Sequence, residues 1–336
     1  MKEAMLYERL EDLKVRCNLC ARRCLIPDGK LGFCRVRENR GGILYSLVYP
    51  RVCSYAIDPI TKKPLAHFHP SASVFSLATV GCNFNCLFCD NWVISHAKDI
   101  RGDEIPPERI VRLAKDYGCE GISYTYTEPT IFFELAYETS RLAHEEGLFN
   151  TFVTNGYMTP EAIRAIAPYL DAATVDFKGS GEPKFYRELM SVPSVEPIYE
   201  GLVEMRRRGI HLEITDLLVT KYGDSLESVR RLARWIKENL GPDIPFHILR
   251  FHPDFRLMDV PSTPIETLEK ACEASREEGL HYVYIGNVPG HRYENTYCPS
   301  CGELVVGRFG FDITRWRLKE GNLCPKCGAK IAIVGR

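Results

Sequence analysis

From residue 74 onward, short apolar runs of β type alternate with stretches whose apolar positions recur every three or four residues. The pattern predicts strands over 74–80, 121–126, 149–154, 172–177, 211–219, 246–251 and 282–285. Between them it predicts helices. One starts at Pro106-Pro107-Glu108 and carries Ile110, Leu113 and Ala114 on one face. Another covers 130–146 and stops at Gly147. Further helical stretches follow over 159–169, 183–190, 195–208, 225–240 and 264–278. Strand–helix alternation of this kind builds βαβ units and a parallel sheet. The count predicts an α/β fold, an open or partial (β/α) barrel with its functional residues at strand C-termini and in the loops beyond them.

Both flanks break the alternation. The first residues read as a charged helical stretch, followed by a cysteine-rich piece and a proline-punctuated connection containing His67 and His69. After Gly290 a short β-rich tail carries two near-identical turns, Cys298-Pro299-Ser300-Cys301-Gly302 and Cys324-Pro325-Lys326-Cys327-Gly328. The expected division is therefore 1–70, a Cys-rich N-terminal extension; 71–290, the barrel; and 291–336, a four-cysteine lobe.

The chain has 14 cysteines among its 336 residues, too many to be incidental. A chain of this length does not need a disulfide framework, so grouped cysteines point to metal. Cys298, Cys301, Cys324 and Cys327 make two facing turns, a zinc-ribbon or rubredoxin-like site expected to hold zinc. Cys17, Cys20, Cys24 and Cys34 would supply four soft ligands to zinc or equally to an additional iron–sulfur cluster. The third group, Cys82, Cys86 and Cys89, leaves the end of the 74–80 strand with the spacing C-x3-C-x2-C. Three thiolates are one short of the four that close a [4Fe–4S] site, leaving one iron open to a non-protein ligand.

That loop, with Phe88 directly before the last cysteine, resembles the C-x3-C-x-aromatic-C signature of the radical S-adenosylmethionine (SAM) superfamily. The resemblance implies a partial (β/α)6 barrel and SAM chelated to the open iron. It also implies one-electron cleavage of SAM to methionine and a 5′-deoxyadenosyl radical, and a reductant such as ferredoxin or flavodoxin. Cofactor-binding positions then fall at strand ends: Tyr126, Thr127 and Glu128 after the second strand, Asn155 after the third, Asp176 after the fourth, and Asn287 after the last. Glu128 reads equally well as a helix N-terminal acid. Catalytic candidates are Asp176 and Lys178, similar to the D-x-K of glycyl-radical activating enzymes, and Arg250 and His252, which share one side of an ideal strand and could reach the barrel interior; a structural ion pair is the competing reading for Asp176 with Lys178 and for Arg250. Across the whole chain, the Cys17–Cys34 quartet, Asp58-Pro59-Ile60, Tyr124–Thr130, Gly286-Asn287 and Asn295–Pro299 resemble AmmeMemoRadiSam system enzymes. That likeness implies Memo-like and AMMECR-like partners.

Charge and termini narrow the setting. The formal net charge is −1, with 43 Lys and Arg against 44 Asp and Glu, so no basic excess marks a nucleic-acid surface. Acidic residues occupy the N-terminus where a signal peptide wants an apolar run, and no run is apolar enough to cross a bilayer. The expectation is a cytoplasmic protein. Three functions compete: a radical SAM enzyme acting on a small molecule, an activase of a glycyl-radical enzyme, and a non-catalytic iron–sulfur or zinc protein.

Overall fold

The computed structural model describes residues 1–335, which divide into two compact units. The first comprises Met1–Asp58, Ser73–Ala173 and Arg187–His211. Its centre is three parallel strands, with Gly121–Tyr124 between Ser73–Ala78 and Phe149–Thr154, registered Gly121 to Val74 on one side and to Phe149 on the other. All four residues of the middle strand are buried, as expected of a parallel sheet covered on both faces. The helices Pro107–Asp116, Phe133–Glu145, Pro160–Ile166 and Glu196–Arg207 arise where the apolar periodicity placed them. Pro107 starts the first of them, whose buried face includes Ile110, Val111 and Ala114. Thr159 caps the third by accepting from the Ala162 N–H. Phe75, Phe132 and Phe152 are fully buried, each contributing on the order of 1.5–3 kcal/mol relative to exposure.

The charged opening is not a helix. Lys2–Glu3 pairs antiparallel with Ile43–Ser46, and Tyr7–Arg9 pairs with Val15–Cys17. Helix propensity there is a weak preference, and ladder bonds to partners up to forty-odd residues away override it.

The second unit comprises Pro59–Ala72, Thr174–Tyr186 and the chain from Leu212 onward. Its strand Phe246–Arg250 lies parallel between His211–Leu218 and Val283–Gly286. The tail forms a separate antiparallel sheet of Thr296–Tyr297, Leu304–Phe309 and Asp312–Trp316. Its core residues Val305, Val306, Ile331 and Ile333 pack with Ala66, Tyr282 and Tyr284, so its hydrophobic cluster is continuous with the last parallel strand. Parallel strands with helices between them in sequence, and a four-cysteine tail, give the chain an α/β fold.

Two positions report on how tightly this architecture is specified. A Cβ on Gly121 would stand 2.2 Å from Phe149 Cδ2 and 2.7 Å from its carbonyl oxygen. Gly121→Ala should therefore destabilise the first unit by about 1–3 kcal/mol in anaerobic urea unfolding. In the second unit, Asp216 accepts from the Ser180 N–H at 2.8 Å and from its hydroxyl at 2.7 Å, holding Ser180 at φ 54°. Burial pushes this carboxyl from 3.8 up to about 6, against the opposing pull of those bonds and of Lys178. The folded chain then binds more protons than the unfolded one between these values, so this group's contribution to stability falls as pH rises through them. Between pH 5 and 7 the decline should be on the order of 1 kcal/mol, and Asp216→Asn should remove it from the measured pH profile.

Candidate active site and metal centres

The cysteine loop begins where the Ser73–Ala78 strand ends. Gly81, at φ 97°, turns the chain, and its N–H donates to the Ile94 carbonyl at 3.0 Å. The Asn85 and Leu87 N–H groups donate to Met190 O (3.1 Å) and Leu189 O (2.9 Å), so backbone bonds fix the loop before any metal does. Phe84 and Phe88 are buried beneath it, while Cys82, Cys86 and Cys89 are only half-buried. The aromatic of the motif thus anchors the loop, and the thiols line its accessible side. Burial pushes the Cys82 thiol well above its usual range, so binding a metal there means displacing a proton.

The next two strand ends are tied to this loop through one carboxylate. Glu128, 2% exposed, accepts from Thr130 N (3.0 Å), Thr130 Oγ1 (2.5 Å) and Thr154 Oγ1 (2.7 Å) on one oxygen, and from Asn155 N (2.8 Å) on the other. Burial raises its pKa and these four bonds pull it back down. It caps the short helix Pro129–Phe132, as the helix-acid reading expected. Asn155 Nδ2 in turn donates to Asn83 Oδ1 at 2.7 Å, joining the third strand end to the cysteine loop. Thr127 donates to the Thr79 carbonyl, and Tyr126, held at φ 62°, donates to Asp58 at 2.5 Å. Cys82, Asn83, Thr127, Glu128 and Asn155 are therefore one connected constellation within the first unit.

This donor set fits a four-iron cluster held by three thiolates. A single ion would need its ligand atoms crowded together, whereas each cysteine of a four-iron cluster has its own iron. Among the described residues, ligand atoms gather within 4.8 Å of one another at the tail quartet and not at this loop. Asn83 is fully buried next to Cys82, and its Nδ2 has no hydrogen-bond partner among the described residues.

The candidates of the second unit have their own geometry. Asp176 accepts from Thr215 Oγ1 at 2.6 Å and pairs with Lys178 Nζ at 3.5 Å, the structural ion pair that alternation on one strand face allows. Arg250 Nε donates to the Thr263 carbonyl at 2.9 Å, and Asn287, at φ 62°, donates from Nδ2 to the Arg250 carbonyl at 3.1 Å. His252 does not share a strand face with Arg250: the strand ends at Arg250, and His252 is exposed on the following loop, ahead of Pro253, which favours leaving the strand. His67 is a core histidine, bonded to Ala332 O and Tyr284 OH.

Sequence reasoning passed over Glu213, which is fully buried and takes the N–H groups of Ala66 and His67 and the His247 ring. The signal was present in Leu212-Glu213-Ile214, an acid inside an apolar strand.

In the tail, the Cys298 and Cys327 sulfurs stand 3.6 Å apart and those of Cys301 and Cys324 3.7 Å apart. Gly302 and Gly328, at φ 71° and 76°, close the two turns by donating to Cys298 O and Cys324 O. A tetrahedral ion with metal–sulfur bonds of about 2.3 Å sets its sulfurs about 3.8 Å apart. This is a closed one-ion site.

Comparison with known proteins agrees with this geometry. The Radical SAM superfamily model matches residues 76–236, from the first strand through the cysteine loop and onward. Uncharacterized protein MJ0808 of Methanocaldococcus jannaschii is 49% identical over 337 residues, covering 99% of this chain and 100% of that protein. The putative glycyl-radical enzyme activating enzyme MJ1632 of the same organism is 26% identical over 175 residues, 52% of this chain and 65% of that one. Among solved structures, SuiB of Streptococcus suis bound to S-adenosylmethionine has a TM-score of 0.50 at 18% identity, covering 66% of this chain and 49% of SuiB. A radical SAM methyltransferase from Sphaerobacter thermophilus has the same TM-score and identity, covering 65% of this chain and 67% of its own. These structural likenesses speak for the fold, and the chain spans about half the length of SuiB. The superfamily match is to a family of enzymes, so the non-catalytic reading falls. The chain belongs to the radical SAM superfamily, and it is a radical SAM enzyme.

Proposed function

We propose that this enzyme abstracts a hydrogen atom from a small-molecule substrate, working with a Memo-like partner as the AmmeMemoRadiSam likeness implies. The observation that carries the reading is the three-thiol loop, fixed by backbone bonds and tied through Asn83, Asn155 and Glu128 to the next two strand ends. A bound four-iron cluster with SAM would supply a 5′-deoxyadenosyl radical on receiving one electron from ferredoxin or flavodoxin. Cys82, Cys86 and Cys89 would hold three of its irons. Tyr126, Thr127, Glu128 and Asn155 would orient the amino-acid part of SAM, with Glu128 acting mainly by fixing the peptide groups around it. The second unit carries the remaining candidates that the resemblance implies: Asp176 and Asn287 for the cofactor, and Asp176, Lys178, Arg250 and His252 for catalysis. An arginine is suited to a substrate carboxylate or phosphate. The Cys-rich extension and the tail are read as flanking modules, the tail as a zinc site closing a sheet too small for its own core.

Activation of a glycyl-radical enzyme is the second reading. It is favoured by the Asp176–Lys178 pair and by the likeness to the relative described as such an activating enzyme. It expects a partner protein that acquires a glycine-centred EPR signal, whereas the first reading expects none.

Two expected outcomes test the proposal. Anaerobically reconstituted protein given dithionite and SAM should release 5′-deoxyadenosine. Cys86→Ala should abolish that product, while Cys301→Ala should lower the melting temperature and leave the initial rate near wild type; equal losses in both variants would contradict the division. Glu128→Gln withdraws one acceptor from a buried four-bond centre, and should weaken SAM binding about tenfold, ~1.4 kcal/mol by equilibrium titration. Unchanged affinity would remove Glu128 from the SAM site.

A further inference from the structure

The N-terminal quartet has a geometry unlike that of the tail. Cys17 ends the Val15–Cys17 strand, Cys20 bridges to Met158, and the Cys17 N–H donates to the Cys24 carbonyl at 3.0 Å. With Cys34, these thiols line one pocket, and Arg37 and Asn83 complete its polar wall. Among the described residues, only the tail gathers its ligand atoms within 4.8 Å of one another, so the four N-terminal sulfurs are too dispersed to meet on one ion. Dispersed sulfurs around a common hollow are what a cluster requires, because each thiolate then reaches a different iron.

The wall of that pocket asks for an anion. Arg37 is 2% exposed; its Nη2 donates to both Glu134 oxygens at 2.7 Å, while Nε and Nη1 have no partner among the described residues. Asn83 Nδ2 is the third buried donor without a partner on the same pocket. Leaving a buried donor unmatched costs about 1–3 kcal/mol, and more when it is charged. Three such donors beside four cysteines are satisfied together by the sulfur atoms of an anionic iron–sulfur cluster. Hydrogen bonds to cluster sulfur also tune its potential.

We propose that Cys17, Cys20, Cys24 and Cys34 bind a second [4Fe–4S] cluster, fully ligated by protein, with Arg37 and Asn83 donating to its sulfur atoms. Of the two alternatives the sequence left open at this quartet, zinc or an iron–sulfur cluster, it selects the cluster. The site lies against the three-cysteine loop. A Cβ on Gly81 would come 3.0 Å from the Cys34 carbonyl oxygen, Arg22 Nε donates to the Asn83 carbonyl at 2.5 Å, and Cys34 and Cys82 line a common cleft. Asn83 belongs to both neighbourhoods: its Oδ1 accepts from Asn155, and the residue also lines the quartet pocket.

Anaerobically reconstituted protein, with iron, acid-labile sulfide and zinc counted per chain, tests this without reference to activity. The wild type should hold about eight irons and about one zinc, and Cys82→Ala/Cys86→Ala/Cys89→Ala should keep about four irons with the Mössbauer signature of a four-iron cluster. A wild type with about four irons and about two zincs, and an iron-free triple variant, would overturn the proposal. Should the triple variant not fold, the wild-type counts and Cys20→Ser/Cys24→Ser decide: a fall from about eight irons to about four supports it, and no fall sinks it. About four irons in both wild type and triple variant would place iron at the quartet and none at the loop, upholding this site while refuting the radical SAM cluster.

Discussion

Glu128 is a carboxylate with almost no access to water, and the first unit's candidate site is arranged around keeping it satisfied. Burying an ionised carboxylate costs several kcal/mol unless hydrogen bonds replace its hydration. Four do so here, from Thr130, Thr154 and Asn155. Since those donors come from two different strand ends, satisfying the charge forces the ends into register. Asn155 extends the constraint to Asn83 and so to Cys82. The loop that must present three thiols is thereby held by groups that never touch a metal.

A second buried charge lies in the same unit, on a pocket that Asn83 also lines. Arg37 and Glu134 meet at 2.7 Å with both side chains nearly inaccessible, and burial would lower the Arg37 pKa were Glu134 and the neighbouring thiols not raising it. Such pairs add little net stability over apolar packing, but removing one partner is costly. The pair is better understood as a positioning device: Glu134 takes Nη2 of the guanidinium, and Arg37, its other two donors unmatched among the described residues, lines the pocket of the cysteines. Soft ligands then serve at two different scales in one chain. Sulfurs 3.6 and 3.7 Å apart at the tail suit a single ion, and the dispersed N-terminal thiols suit something larger.

Much of this was legible along the chain. The alternation of apolar runs and helical faces located the parallel strands and their helices, because each element buries its own periodic face. The turns Cys298–Gly302 and Cys324–Gly328 announced a closed site, since a tight turn directs both thiols inward. The Cys82–Cys89 spacing, with Phe88 in place, marked the three-thiol loop that follows the first parallel strand. Each of these signals is local, carried by residues close together in sequence.

What the sequence determined by itself was which residues can bond metal and which stretches form sheet and helix, as both follow from side-chain chemistry and short-range geometry. Tertiary structure alone decided how far apart the sulfurs of each group stand, and that His252 leaves the strand that ends at Arg250. It also decided that the charged opening pairs as strands with partners as distant as Ser46. Only folding gave Glu128, Glu213 and Arg37 their partners, because a buried charge takes its meaning from groups that the chain brings to it from far away.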